Sequence, residues 1–207
     1  MVEEQRGELT VYQGPMFSDK TSKLIQLYLE LTEGVPEEEI NAHCFKWAGD
    51  NRYVDEHEDP NKLVAHNGAT APAILFEDKE NPKQLLKLVP KGMAHALIDE
   101  AMFLSNEIIE VVEALLAQGI NVTIAGLDKT AEGEPFGPMP ELVKKADEVY
   151  NLKASICDKH GRQCPNGGAT RSYRKAPMKT TQTVGGKDAY GACCVQSWGE
   201  LHVPLEE

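Results

Sequence analysis

Two spacing patterns of apolar residues alternate along the chain. Leu9-Thr10-Val11-Tyr12-Gln13 is a short run with apolar residues between polar flanks, which predicts a buried strand. From Thr21 onward Leu24, Ile25, Leu27, Tyr28 and Leu31 recur at helical intervals, and the stripe stops near Gly34. Ile40 to Trp47 predicts a second strand, and Leu63 to Gly68 and Pro72 to Phe76 two more around a turn, with a helix over Pro82 to Leu88. Ala94 to Ile98 is an apolar strand that ends in Asp99-Glu100. Asn106 to Gln118 carries Ile108, Ile109, Val111, Val112, Leu115 and Leu116 on one helical stripe, stopped by Gly119. Ile120 to Ala125 predicts a further strand, and Pro140 to Tyr150 a short helix opening on proline and Glu141.

Strands alternating with helices predict an α/β protein with a mainly parallel sheet covered on both faces. In such sheets ligands gather beyond the carboxyl ends of the strands, where this chain places its Asp- and Gly-rich segments. After Leu152 the composition shifts to Cys, Gly and Lys with few helix signals. The expected organisation is an α/β unit over residues 1–152 and a small unit over 153–207.

Bulk composition narrows the function. With 41% hydrophobic and 26% charged residues the chain is an ordinary globular one. Its net charge of −12 argues against general affinity for nucleic acid or for anionic membrane surfaces. No apolar run approaches a membrane span, and Met1-Val2-Glu3-Glu4-Gln5 is no signal peptide, so a cytoplasmic location is expected. Cys44 stands alone in an apolar segment and reads as a small buried hydrophobe. Cys157, Cys164, Cys193 and Cys194 cluster in the last quarter, a pattern that suggests a metal site more than disulfides.

The densest chemistry lies between the first strand and the first helix. Gly14-Pro15-Met16-Phe17-Ser18-Asp19-Lys20-Thr21 has the layout of a phosphate-binding loop. Such a loop needs glycine so that backbone N–H groups can close on phosphate, a lysine for the outer phosphates and a hydroxyl for Mg²⁺. The second glycine is replaced by Asp19. A carboxylate about 4 Å from a phosphate charge would cost roughly 4 kcal/mol at an effective dielectric near 20, about a thousandfold in affinity. The strand ending in Asp99-Glu100 has the form of the metal-side acids that accompany such loops. Without further context Glu100 reads equally well as a solvated strand end. His66 and His95 read as turn or core residues, Lys144-Lys145 as a solvated helix face, and Trp47 and Trp198 as packing residues with nothing basic around them.

Taken together with Asp50-x-Arg52-Tyr53, His66-Asn67-Gly68, Asp99-Glu100-Ala101-x-Phe103, Gly126-Leu127-Asp128, Gly133 to Pro140, Ala169-Thr170-Arg171 and Val184-Gly185-Gly186-x-x-Ala189-Tyr190, these segments stand in one order. In that order the chain resembles the type II thymidine kinase family, the small tetrameric, zinc-containing branch, over nearly its whole length. The resemblance implies a phosphate-loop NTPase (RecA-like) fold with a small zinc and lasso unit closing over the nucleoside. It implies ATP-dependent phosphorylation of the 5′-hydroxyl of thymidine or deoxyuridine, and a homotetramer. Gly14, Ser18, Lys20 and Thr21 would hold the ATP phosphates and Mg²⁺, with Asp99 helping to place the metal. Asp50 and Arg52 would lie by the transferring phosphate, and Glu100 would be the base. Met16, Phe103, Leu127, Phe136, Gly185 and Tyr190 would line the nucleoside pocket.

Departures from the family pattern are concentrated at this site. Besides Asp19, Met102 replaces a glutamine, Ala131 stands where an aromatic is usual and would leave space beside the base, and Glu132 replaces an arginine of bacterial relatives. Glu132 is expected to remove positive charge from the phosphate neighbourhood. The family's paired Cys-x-x-Cys motifs are altered to Cys157-x-x-His160 and Cys194-x-x-Ser197, with Cys164 on an apparent insertion. The expected zinc ligands are Cys157, His160, Cys164 and Cys194, with Cys193 or His202 as alternatives. Two readings stay open: a kinase with weakened activity or shifted substrate preference, and a catalytically silent homologue that binds nucleoside or nucleotide or serves as an assembly subunit.

Overall fold

The computed structural model describes residues 6–50, 59–178 and 185–205. Arg52 and Tyr53 of the sequence motif, and Val184, lie outside the described residues. The chain begins with strand β1 (Leu9–Gln13) and helix α1 (Lys20–Thr32), followed by β2 (Ala42–Trp47), β3 (Lys62–Val64) and β4 (Thr70–Phe76). A short helix α2 (Leu85–Leu88), β5 (His95–Ile98), helix α3 (Ile108–Ala117) and β6 (Asn121–Gly126) come next. Helix α4 (Met139–Lys145) and β7 (Glu148–Asn151) complete the α/β part; β8 (Arg171–Arg174), β9 (Tyr190–Cys193) and helix α5 (Val195–Leu201) follow.

Among the described residues, seven strands form one sheet in the order β3-β4-β2-β5-β6-β1-β7, parallel except for the β3–β4 hairpin at one edge. The central strands are buried, as runs such as Ala96 to Ile98 and Val122 to Ala125, apolar but for Thr123, require when helices cover both faces. One core cluster joins Leu9, Val11, Ile98, Ile124 and the buried stripe of α3; another joins Leu24, Ile25 and Tyr28 of α1 to Cys44 and Leu97. Strands β8 and β9 pair separately as a two-stranded sheet, and a third cluster there contains Cys157, Cys164, Cys193 and Cys194.

Several local expectations change. The helix expected over Pro140 to Tyr150 ends at Lys145, and Glu148–Asn151 pairs with β1 as the edge strand β7. An unforeseen helix, α5, follows Cys194. Trp47 does have a basic neighbour: the Lys79 ammonium stands 5.2 Å from its ring centroid. Cys44 is buried as expected, and burial pushes its thiol up to about 12.

Candidate active site and thiol cluster

The carboxyl ends of β1, β2, β5 and β6 converge on one cavity of about 370 Å³. Its wall includes Met16, Ser18, Lys20 and Thr21 from the loop after β1, Asp50 after β2, Asp99 and Glu100 after β5, and Leu127 after β6. The parallel sheet therefore brings together eight of the residues expected from sequence.

The loop is tightly wound. A Cβ at Gly14 would meet the Leu152 carbonyl oxygen at 2.5 Å and the Ser18 hydroxyl at 2.9 Å, so only glycine fits. The Ser18 hydroxyl donates to the Pro15 carbonyl (2.9 Å), and the Lys20 ammonium donates to the same carbonyl (2.6 Å) and lies 3.3 Å from Ser18 Oγ. Lys20 is thus held along the loop as α1 begins. The Met16 N–H donates to Ser172 Oγ (2.9 Å), which ties the loop to β8. Across the cavity floor the Thr21 hydroxyl donates to Asp99 Oδ2 at 2.9 Å. A hydroxyl from a helix start against a carboxylate from a neighbouring strand end is a donor set suited to Mg²⁺.

Backbone strain marks the same place. Among the described residues, the three non-glycine residues with left-handed backbone are Phe17 (φ 62), Asp19 (φ 59) and Glu100 (φ 53). Such conformations cost on the order of 1–3 kcal/mol each and persist where surrounding structure enforces them, often at functional sites. Asp19 adopts the left-handed geometry at the N-terminus of α1 without a side-chain capping bond, and it is exposed. This exposed residue borders the cavity.

Five expected pocket residues, Met16, Phe103, Leu127, Phe136 and Tyr190, belong to one buried apolar cluster. Phe103 and Phe136 meet edge to face at 5.5 Å, and Trp47 lies 6.1 Å from Phe103. Gly185 packs on the Tyr190 ring: a Cβ there would stand 3.1 Å from it. Of this group only Met16 and Leu127 border the cavity.

Three departures from the family pattern acquire a structural account. Glu132 does not border the cavity; its carboxylate pairs with the fully buried Arg174 guanidinium, so it is neutralised away from the loop. Ala131 is buried, and its carbonyl accepts the Trp198 indole N–H at 3.0 Å. The same N–H lies 3.1 Å from the Ser172 carbonyl, so Trp198 fastens α5 to β8 and to the loop after β6. Met102, in the glutamine's place, is buried, and its sulfur accepts the Leu127 N–H at 3.4 Å.

Sequence reasoning overlooked Lys46, a buried cation on β2 that borders the cavity; the signal was a lysine between Phe45 and Trp47 in an otherwise apolar strand. It also underrated His66, which borders the cavity and packs edge to face with Phe17 at 5.4 Å between ring centroids. His95 lies on β5, and burial lowers its pKa.

In the C-terminal part the thiols of Cys157, Cys164 and Cys194 lie within 4.8 Å of one another, all buried. Cys193 is left out of this group, and His202 stacks on Trp198 at 4.6 Å while its Nδ1 accepts the Arg174 N–H at 3.4 Å. His160 stands one group away: its Nε2 is 3.0 Å from Ser197 Oγ, which is 3.3 Å from Cys194 Sγ. The Ser197 hydrogen bond is the main cause of a lowered Cys194 pKa, which favours the thiolate.

A mainly parallel sheet with a strand–loop–helix turn, a lysine and a hydroxyl–carboxylate pair at its carboxyl ends defines an α/β protein of the phosphate-loop class. A family model described as thymidine kinase matches residues 7–198. The chain is 35% identical over 201 residues to a thymidine kinase of Onion yellows phytoplasma, covering 93% of this chain and 87% of that protein. It is 36% identical over 175 residues to a thymidine kinase of Deinococcus radiodurans (81% and 76% covered). A Mycoplasma mobile thymidine kinase is 32% identical over 188 residues (91% and 85%). The chain belongs to the thymidine kinase family.

Proposed function

We propose that the protein transfers the γ-phosphate of ATP to the 5′-hydroxyl of a pyrimidine deoxynucleoside, thymidine or deoxyuridine, as a salvage kinase. The observation that carries this reading is the Thr21–Asp99 hydrogen bond beside Lys20 and Glu100 in one cavity. Phosphoryl transfer asks the protein for positioning and charge stabilisation more than for covalent chemistry. Lys20 and Ser18 suit the outer phosphates, and the loop amides after Gly14 the inner ones. Bound Mg²⁺ would neutralise developing charge, with Thr21 and Asp99 as its protein contacts. Asp50 and Lys46 add one acid and one cation to the same wall, and Arg52 is assigned beside Asp50 by the family motif alone. Glu100, in its enforced backbone geometry, takes the proton from the 5′-hydroxyl. The base lies among Met16, Phe103, Leu127, Phe136 and Tyr190, with Gly185 against the Tyr190 ring.

The same reading divides the chain into a kinase unit (1–152) and a C-terminal unit (153–207), and assigns zinc a structural role in the latter. Zinc-bound thiolates about 2.3 Å from the metal lie roughly 3.8 Å apart, and three buried thiols already within 4.8 Å need only small movement to reach that. His160 becomes the fourth ligand by exchanging its Ser197 contact for the metal. A cytoplasmic homotetramer completes the proposal, on family grounds.

Labelled phosphate transfer to thymidine, deoxyuridine and deoxycytidine tests it. Turnover of the first two is expected, with Glu100→Gln reducing kcat by about 10²–10⁴-fold, the usual worth of a general base. A folded protein that binds nucleoside but transfers no phosphate would favour the silent homologue instead.

A further inference from the structure

We propose that Lys175 is a positioning residue that fixes the Gly185–Tyr190 segment against the cavity wall and couples it to the thiol cluster. The proposal rests on the kinase reading for its consequence and on three contacts for its substance. Lys175 follows Arg174 at the end of β8, and its N–H donates to the Ala189 carbonyl at 2.9 Å. Its ammonium crosses to the Lys187 carbonyl, donating at 3.0 Å, and stands 3.8 Å from Asp158 Oδ2. That carboxylate oxygen also accepts the Tyr173 hydroxyl at 2.8 Å.

Asp158 follows directly after Cys157, one of the three clustered thiols, and its N–H donates to the Ala192 carbonyl on β9 at 2.9 Å. The carboxylate can lie there because residue 191 is glycine. A Cβ at Gly191 would meet Asp158 Oδ2 at 2.3 Å and the Tyr173 ring at 2.4 Å. One ammonium therefore joins the exit of β8, the residue beside a thiol ligand and a backbone carbonyl in the segment that leads to Tyr190. Asp158, Lys175 and Lys187 all border the cavity that holds the phosphate loop. The arrangement transmits the position of the thiol cluster to the nucleoside side of that cavity.

Lys175 and Asp158 are about one-third exposed, at 37% and 33% of their side chains, so their ion pair adds little to global stability. Losing the ammonium releases the Lys187 carbonyl and loosens the segment locally. A charge-assisted hydrogen bond lost from a bound-state scaffold corresponds to about tenfold in affinity.

The experiment compares Lys175→Met, Lys175→Arg and Asp158→Asn in the full-length, metal-loaded protein, by nucleoside kinetics, melting temperature and amide hydrogen exchange. The expected result for Lys175→Met is a roughly tenfold higher nucleoside KM with kcat within about twofold. Melting should be unchanged, and exchange faster at Ala189 and Tyr190, whose N–H groups donate to the Gly186 carbonyl at 3.1 Å. Lys175→Arg should restore most of the affinity, and Asp158→Asn should fall between. An unchanged KM, or a joint loss of kcat, KM and thermal stability, overturns the proposal. If the wild type phosphorylates no nucleoside, the kinase reading falls instead, and the exchange rates still decide: unaltered protection at Ala189 and Tyr190 refutes the positioning role.

Discussion

Asp19 shows how far one residue's environment decides its effect. A carboxylate in a phosphate loop looks prohibitive when its field is taken at protein-like dielectric. The side chain is exposed, however, and at water's dielectric the same charge pair is worth about 1 kcal/mol at 4 Å. Replacing Asp19 by glycine should therefore tighten Mg·ATP binding by about fivefold, not a thousandfold, as measured by calorimetry. Asp19→Asn removes the charge while keeping a side chain that tolerates the observed φ of 59°. If Asn and Gly variants gain equally, charge is the cause; if only Gly gains, backbone strain is. The identity of the intruding acid was legible in the sequence, but its orientation toward solvent was not, because that follows from the turn geometry of Phe17 to Asp19. Lys46 is the reverse case. Its strand was legible, yet a lysine inside an apolar run gains meaning only once β2 is placed beside β5 with its acids.

Among elements, those with a strong period and a deep burial were readable: β1, α1, α3 and β6 match their patterns to within a residue or two. The edge strand β7 was read as helix because Glu148-Val149-Tyr150-Asn151 buries too little to show alternation, and its existence depends on pairing with β1. Helix α5 is seven residues long and contains Gly199, so its local propensity is poor; the Trp198 bonds to Ala131 and Ser172 hold it. The turn-rich stretch between His160 and Gly168 carries the remaining lesson. It delivers Cys164 to Cys157 and Cys194, and Cys164 Sγ lies 3.6 Å from the Gly168 carbonyl. Sequence spacing offered several ligand sets, and this folding of the stretch brings three of the thiols, Cys157, Cys164 and Cys194, together. Cys164→Ser should therefore cost at least about 10²-fold in zinc affinity, as expected for loss of a direct ligand rather than of an outer partner. Cys193→Ser should bind as wild type. Competition with a chromophoric chelator, and thiolate-to-metal charge-transfer bands of the Co²⁺ form, read both without any activity assay. Equal affinities in the two variants would remove Cys164 from the site.

For the whole molecule, the parallel sheet and the convergence of strand ends on one cavity follow from the alternation of strands and helices, whereas the strand order and the joints between the sheet and the C-terminal part do not. Met16 to Ser172, Trp198 to Ala131 and Arg174 to Glu132 each link residues that are far apart in the chain and carry no shared local pattern. Burial of histidines has a consequence for pH. His43, His95 and His202 all have lowered pKa values, with burial the first cause in each case. A histidine whose folded pKa lies below its unfolded value of about 6.5 favours folding as the neutral form. That contribution is complete above pH 6.5 and is lost as pH falls through 6.5 toward the folded values, because the unfolded chain takes up protons first. Asp147 acts in a lower window: the Leu9 N–H and then Arg6 hold its pKa down, so its share is present above about pH 4 and is lost only in stronger acid. The melting temperature should therefore be level near neutrality and fall between pH 7 and 5, by about 2–4 °C for each kcal/mol lost in a chain of this size. His43→Gln with His95→Gln should flatten that slope while leaving the acid limb below pH 4 in place. The measurement is made on metal-free protein, since thiolate ligands would add their own proton linkage. A melting temperature that stays constant from pH 7 to 5, or a double variant with an undiminished slope, would show that these imidazoles titrate alike in the folded and unfolded chain.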